Sequence, residues 1–122
     1  MRGLLESWKT QTERGTRIIA IRDNPAANAD TVACVARHLL EANDFCSLDR
    51  AHALGAFDGH AAAALATAGA SVIDLSDVYC DATRCPAVIG NVVVYRDENH
   101  ITATFARTLG PTLTERLRPL ID

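Results

Sequence analysis

Residues 91–104 read Asn91-Val-Val-Val-Tyr-Arg-Asp-Glu-Asn-His-Ile-Thr-Ala-Thr104. The run Val92 to Tyr95 is β-branched and aromatic, as a strand would be, and it delivers a tight corner from Asp97 to His100. Gly90-Asn91, just ahead, suits a two-residue hairpin turn with positive φ. Beyond the corner, Thr102 is placed to cap a helix whose stripe Ile101, Phe105, Leu109, Leu113 and Leu117 recurs every four residues, pinning the corner against the core. Pro111 must kink that helix or restart it. A carboxylate three residues ahead of an imidazole can fold back and accept the Nδ1 proton, which leaves Nε2 free as a base. Asp97 and His100 are therefore the candidate catalytic residues. The bland alternative is a helix-capping corner with no chemistry.

Outward from that stretch, the chain alternates helices and strands. Leu4, Leu5 and Trp8 lie one turn apart and predict a helix over residues 2–14, left at Gly15. Thr16-Arg-Ile-Ile-Ala-Ile21 predicts a strand covered on both faces, ended by Arg22-Asp-Asn-Pro25. In a parallel sheet that exit lies at the carboxyl edge, where ligands usually bind, so Arg22, Asp23 and Asn24 are candidate site neighbours; the alternative is a solvated turn closed by Pro25. Asp30 is placed to cap a helix with Val32, Val35, Ala36, Leu39 and Leu40 on one face, stopped at Asn43-Asp44. A third helical stretch follows Asp49, with Leu54, Phe57, Ala61, Leu65 and Ala68 at helical spacing, weakened by Gly55 and Gly59. Ser71-Val-Ile-Asp-Leu-Ser76 predicts a second strand parallel to the first.

Composition narrows the function classes. A chain of 122 residues with 48% hydrophobic and 22% charged residues is expected to form a single domain, residues 1–122, around one core. A formal charge of -3 and a lone lysine, Lys9, provide no field for phosphate backbones, so nucleic acid is not an expected partner. No run approaches the ~18 apolar residues of a membrane span, and the amphipathic first residues do not resemble a signal peptide.

The cysteines pull toward a different compartment. Cys34 and Cys46 flank a short segment, as do Cys80 and Cys85, so each local loop has the makings of a disulfide, which belongs to an oxidising environment. The competing reading makes these four cysteines, with His38, zinc ligands; their spacings are looser than those of a zinc knuckle, and no metal or other cofactor is expected. His52 and His60 are expected at the surface, Trp8 and Phe57 in the core.

The order Cys80-x4-Cys85-Pro86-Ala87-Val88-Ile89-Gly90, then Val93-Val94-Tyr95-Arg96-Asp97-x2-His100-Ile101-Thr102, resembles the C-terminal part of the SGNH esterase domain fused to membrane O-acyltransferases. Ile21-Arg-Asp-Asn-Pro25 and the helix start Ala103-Thr-Phe-Ala-Arg-Thr-Leu109 extend the resemblance over most of the chain. Those proteins acetylate cell-surface polysaccharides or peptidoglycan. The resemblance implies an α/β fold of partial SGNH-hydrolase-like, three-layer type, with the later parallel strands, helices and a C-terminal hairpin. It implies His100 as the base for a serine nucleophile, Asp97 as its orienting carboxylate, and structural disulfides Cys34 to Cys46 and Cys80 to Cys85. It also implies the outer face of the membrane, with an upstream SGNH half or a membrane acyltransferase domain as partner and an acylated glycan as substrate.

The family's Gly-Asp-Ser block and its oxyanion-hole Gly and Asn have no counterpart here. Ser7, Ser47, Ser71 and Ser76 sit in no such setting, and only Ser76 falls near the carboxyl end of a predicted strand. The expectation is a C-terminal piece of an SGNH domain, carrying the Asp-His dyad and inactive alone; the alternative is a non-catalytic binding module descended from that fold. Either way, the strand Thr16–Ile21 is expected to leave an apolar edge unpaired, inviting association with another chain, a second copy included.

Overall fold

The computed structural model describes residues 1–122. Helix α1, Arg2–Glu13, is followed by Gly15 at φ 89°, and the chain enters strand β1, Ile18–Ile21. Two short helices follow, α2 at Thr31–Arg37 and α3 at Ala42–Phe45. Next come strand β2, Leu48–Asp49, helix α4, Arg50–Ala53, and helix α5, Gly59–Ala66. Strand β3, Ala70–Ile73, leads to α6, Ser76–Tyr79, then to strands β4, Arg84–Cys85, β5, Val88–Ile89, and β6, Val92–Val93. Helices α7, Ala103–Thr108, and α8, Gly110–Ile121, close the chain.

The fold is mixed α/β. Strands β1 and β3 pair in parallel with Ile18 opposite Ala70, and β1 has no partner on its other edge. Two antiparallel pairs, β2 with β4 and β5 with β6, form separate small ladders. Helix α5 packs on both parallel strands with α1 against it, and α8 reaches β3. The main core joins Ile73, Leu75 and Tyr79 to Val94, Tyr95, Phe105 and Leu109, with half-buried Leu113, Leu117 and Leu120 completing the stripe from α8. The hairpin turn is as the sequence suggests, with Gly90 at φ 57° and Asn91 at φ 61°. Thr102 caps α7 by accepting the Phe105 amide at 3.1 Å, and Pro111 restarts the helix as α8.

Several local expectations are overturned. The stretch after Asp49 is two helices, because the backbone turns at Gly55, where a Cβ would lie 2.7 Å from the Ala51 carbonyl oxygen, and because Asp58 starts α5 by accepting the Ala61 amide. Phe57 and Leu65 are consequently exposed, at 77% and 81%, and Phe57 is no core residue. Helix α2 ends at Arg37, before Leu39 and Leu40, which are solvent-facing; Asp30 makes no side-chain cap and instead pairs with Arg37 at 3.0 Å. Asn43 and Asp44 lie inside α3, and the Asn43 amide mimics a strand partner, donating to the Val88 carbonyl and accepting the Val88 amide. Strand β1 is not covered on both faces, since Ile21 is 49% exposed. Strand β3 also stops at Ile73, short of the expected Ser76.

Phe105→Ala should cost about 3–5 kcal/mol in thermal or denaturant unfolding. Phe57→Ala, by contrast, should stay within about 0.5 kcal/mol of wild type.

Candidate active site

The corner is built from its backbone outward. From β6 the chain continues through Val94 and Tyr95, both buried, and Tyr95 forms a bridge with Ile101 across the corner. The Arg96 amide donates to the His100 carbonyl at 2.8 Å, closing the loop 97–99. Inside it, Asp97 Oδ1 accepts the amides of Asn99 and His100, both at 2.8 Å. Asp97 thus shapes the turn with its own side chain, as Asp does at Asx-type turns. The same carboxylate faces His100 Nδ1 at 2.9 Å from each oxygen.

These contacts set the electrostatics. The Asn99 amide and then the His100 ring, with the His100 amide adding to them, hold the Asp97 carboxyl down to about 2. An ionised carboxylate only accepts, so Nδ1 carries the proton and Nε2 has no protein partner. The imidazole is 67% exposed and its open nitrogen faces solvent. Arg96 Nε lies 3.9 Å from Asp97 and, being largely exposed, adds little.

The exit of β1 meets this corner. Asn24 Nδ2 donates to the Asn99 carbonyl at 3.2 Å, and the Ala27 amide donates to the Glu98 carbonyl at 2.8 Å. Arg22 and Asp23 look elsewhere. Arg22 pairs with Asp74 at 2.9 Å, and the Asp23 amide donates to Asp58 at 2.7 Å. Partial burial raises the Asp58 carboxyl, but the amides of Ala61, Asp23 and His60 outweigh it and hold it below its ordinary value. A cleft of about 470 Å³ opens here, lined by Arg22, Asn24, Phe57, Asp58, His60 and Asn99 among others. Asp58 and Asn99 were not singled out from the sequence; Asp58 before Gly59 and an alanine run is a helix N-cap signal that marks the cleft wall.

No serine hydroxyl is hydrogen bonded to His100. Ser76 is buried and donates to Asp74, a carboxyl that burial raises and that the Ser76 hydroxyl and amide, with Arg22, bring below its ordinary value. Ser47 donates to the Asn43 carbonyl. The four cysteines are consumed as Cys34–Cys46 and Cys80–Cys85, which overturns the zinc reading. His38 is stacked on Phe45, with ring centroids 4.3 Å apart. His52 and His60 are exposed, and Trp8 is half-buried near His60.

A parallel βαβ frame with appended hairpin, two disulfides and a carboxylate-imidazole corner defines a mixed α/β protein of SGNH-like arrangement. The model of the SGNH domain fused to AT3 domains matches residues 1–115, and the chain belongs to that family. Neither the curated proteins nor the solved structures contain a match. No helix is long and apolar enough to cross a membrane.

Two outcomes follow from the site. Because the folded-state value of Asp97 lies below the ordinary ~3.9, the stabilisation it provides is complete above that value and is lost as pH falls through about 2. Hydrogen exchange at the Asn99 and His100 amides should therefore lose protection between about pH 4 and pH 2, and Asp97→Asn should abolish that dependence. Intact mass without reductant should be lower than the reduced mass by the hydrogens that two disulfides remove.

Proposed function

We propose that this chain is the C-terminal part of an SGNH acyltransferase or esterase domain acting on cell-envelope glycans at the extracytoplasmic side of the membrane. In this reading residues 1–122 are one incomplete domain and Asp97 and His100 are its catalytic dyad. His100 Nε2 takes the proton from a serine as that serine attacks the acyl carbonyl, and returns it to the departing alkoxide; Asp97 keeps the imidazole in the Nδ1-protonated tautomer and stabilises the imidazolium. The observation that carries the reading is the carboxylate on Nδ1 at 2.9 Å with Nε2 free, in a chain of SGNH family.

The serine and the oxyanion donors come from the upstream half of the domain, whose Gly-Asp-Ser strand would lie along the unpaired edge of β1. That edge ends in exposed Ile21, which lines the cleft together with Asn99 of the corner; Asp97 and His100 stand outside its lining. An AT3 domain is the partner that fits the family match. A second reading, a non-catalytic binding module, draws on the commitment of the Ser76 hydroxyl, the one serine near the carboxyl end of a strand, to Asp74 and not to His100.

An acetyl-ester assay separates the two. The chain alone should show no turnover above buffer. Joined to an upstream half bearing Gly-Asp-Ser, it should turn over, and His100→Ala should remove about 10²–10⁴ of that rate. Robust turnover by the chain alone that vanishes in His100→Ala would refute the need for an upstream serine, and a joined domain indifferent to His100→Ala would favour the binding module.

A further inference from the structure

We propose that Asn24 is a positioning residue for His100, acting through the Asn99 carbonyl; the inference rests on the reading of His100 as the base. The corner lacks packing of its own, since Glu98, Asn99 and His100 are all exposed. Bonds from the loop after β1 therefore supply its restraint from outside. That loop is itself fixed: Pro25 is fully buried and the Ala26 amide donates to the Ala53 carbonyl at 2.9 Å. From this anchor it grips two successive carbonyls of the corner, Glu98 through the Ala27 amide and Asn99 through the Asn24 side chain.

The hydrogen bonds form a continuous path. Asp58, capping α5, accepts the Asp23 amide, and Asp23 accepts the Asn24 amide at 2.9 Å. Asn24 Nδ2 then donates to both the Pro25 and Asn99 carbonyls, and the Asn99 amide donates to Asp97, which holds His100 Nδ1. Only Asn24 in this path joins the β1 exit to the corner by a side chain. It needs an amide there, because both acceptors are carbonyl oxygens and an Asp carboxylate would repel them. Along the path, Asp23 and Asp58 stand on the β1 side, Arg96 and Glu98 on the corner side.

The test follows Asp97 carboxyl and His100 ring-nitrogen resonances during a pH titration of the full chain. Asn24→Ala and Asn24→Asp should move the Asp97 midpoint up from about 2 toward the ordinary carboxylate range. Both should also shift His100 from the Nδ1-protonated tautomer toward the mixture of a free imidazole, while β1 and β3 amides stay protected. Unchanged Asp97 and His100 resonances in folded Asn24→Ala would overturn the proposal. Wild type provides a check independent of any variant: the Asn24 amide protons must exchange slowly and show cross-relaxation to Asn99, and a freely exchanging Asn24 amide would equally overturn it. These readouts need no turnover, so loss of the catalytic reading in the acetyl-ester assay would leave the Asn24 effect measurable, and its absence would leave that assay intact.

Discussion

One carboxylate organises the end of this chain. Asp97 accepts two backbone amides and an imidazole, so a single ionised group both folds the turn and orients the base. Were it removed, the Asn99 and His100 amides would lose their acceptor and the bridge between Tyr95 and Ile101 would lose the turn that joins its sides. Downstream, Thr102 keeps its place through the Val94 carbonyl, and with it the start of α7. Local turn chemistry and the candidate acid-base chemistry therefore cannot be altered separately.

Burial is divided to match. Tyr95, Val94 and Phe105, with Cys85 beneath them, are closed to solvent and make the platform rigid, whereas the corner itself is wet. The Tyr95 hydroxyl has no hydrogen-bond partner, and burial raises it well above the ordinary tyrosine range. Each disulfide staples a region that backbone pairing alone holds weakly: Cys80–Cys85 closes the turn ahead of β5 within the main core, and Cys34–Cys46 closes the α2–α3 turn in a smaller cluster with Val35 and Ala87. Arg116 ties α8 to the end of β3 through Asp77 and the Asp74 carbonyl. Hydrogen bonding from Arg116 is the main reason that the Asp77 carboxyl is held low.

The parts legible in the sequence were those governed by short-range chemistry. Gly90-Asn91 demands a positive-φ turn, Thr102 caps, and a four-residue apolar period faces a core; each of these is decided by neighbouring residues. The parallel pairing of β1 with β3 was also legible, from two β-branched runs separated by helices. Residues 49–68 misled because helical spacing continues across Gly55, while the close approach to the Ala51 carbonyl depends on tertiary placement. Leu39 and Leu40 continued a stripe that α2 never reaches, since the chain must turn after Arg37 to bring Cys46 to Cys34. Within the site, Asp97 and His100 were visible because they are three residues apart. Asn24's bond to Asn99, across 75 positions, was not, since only the fold brings the two together.

The most direct test of His100 as a base for a serine supplied from upstream is covalent labelling of the joined domain with a serine-directed phosphonate. The account predicts one phosphonyl group on the serine of the Gly-Asp-Ser block, lost in His100→Ala with the domain still folded. Labelling of that serine that proceeds equally well without His100 would contradict it.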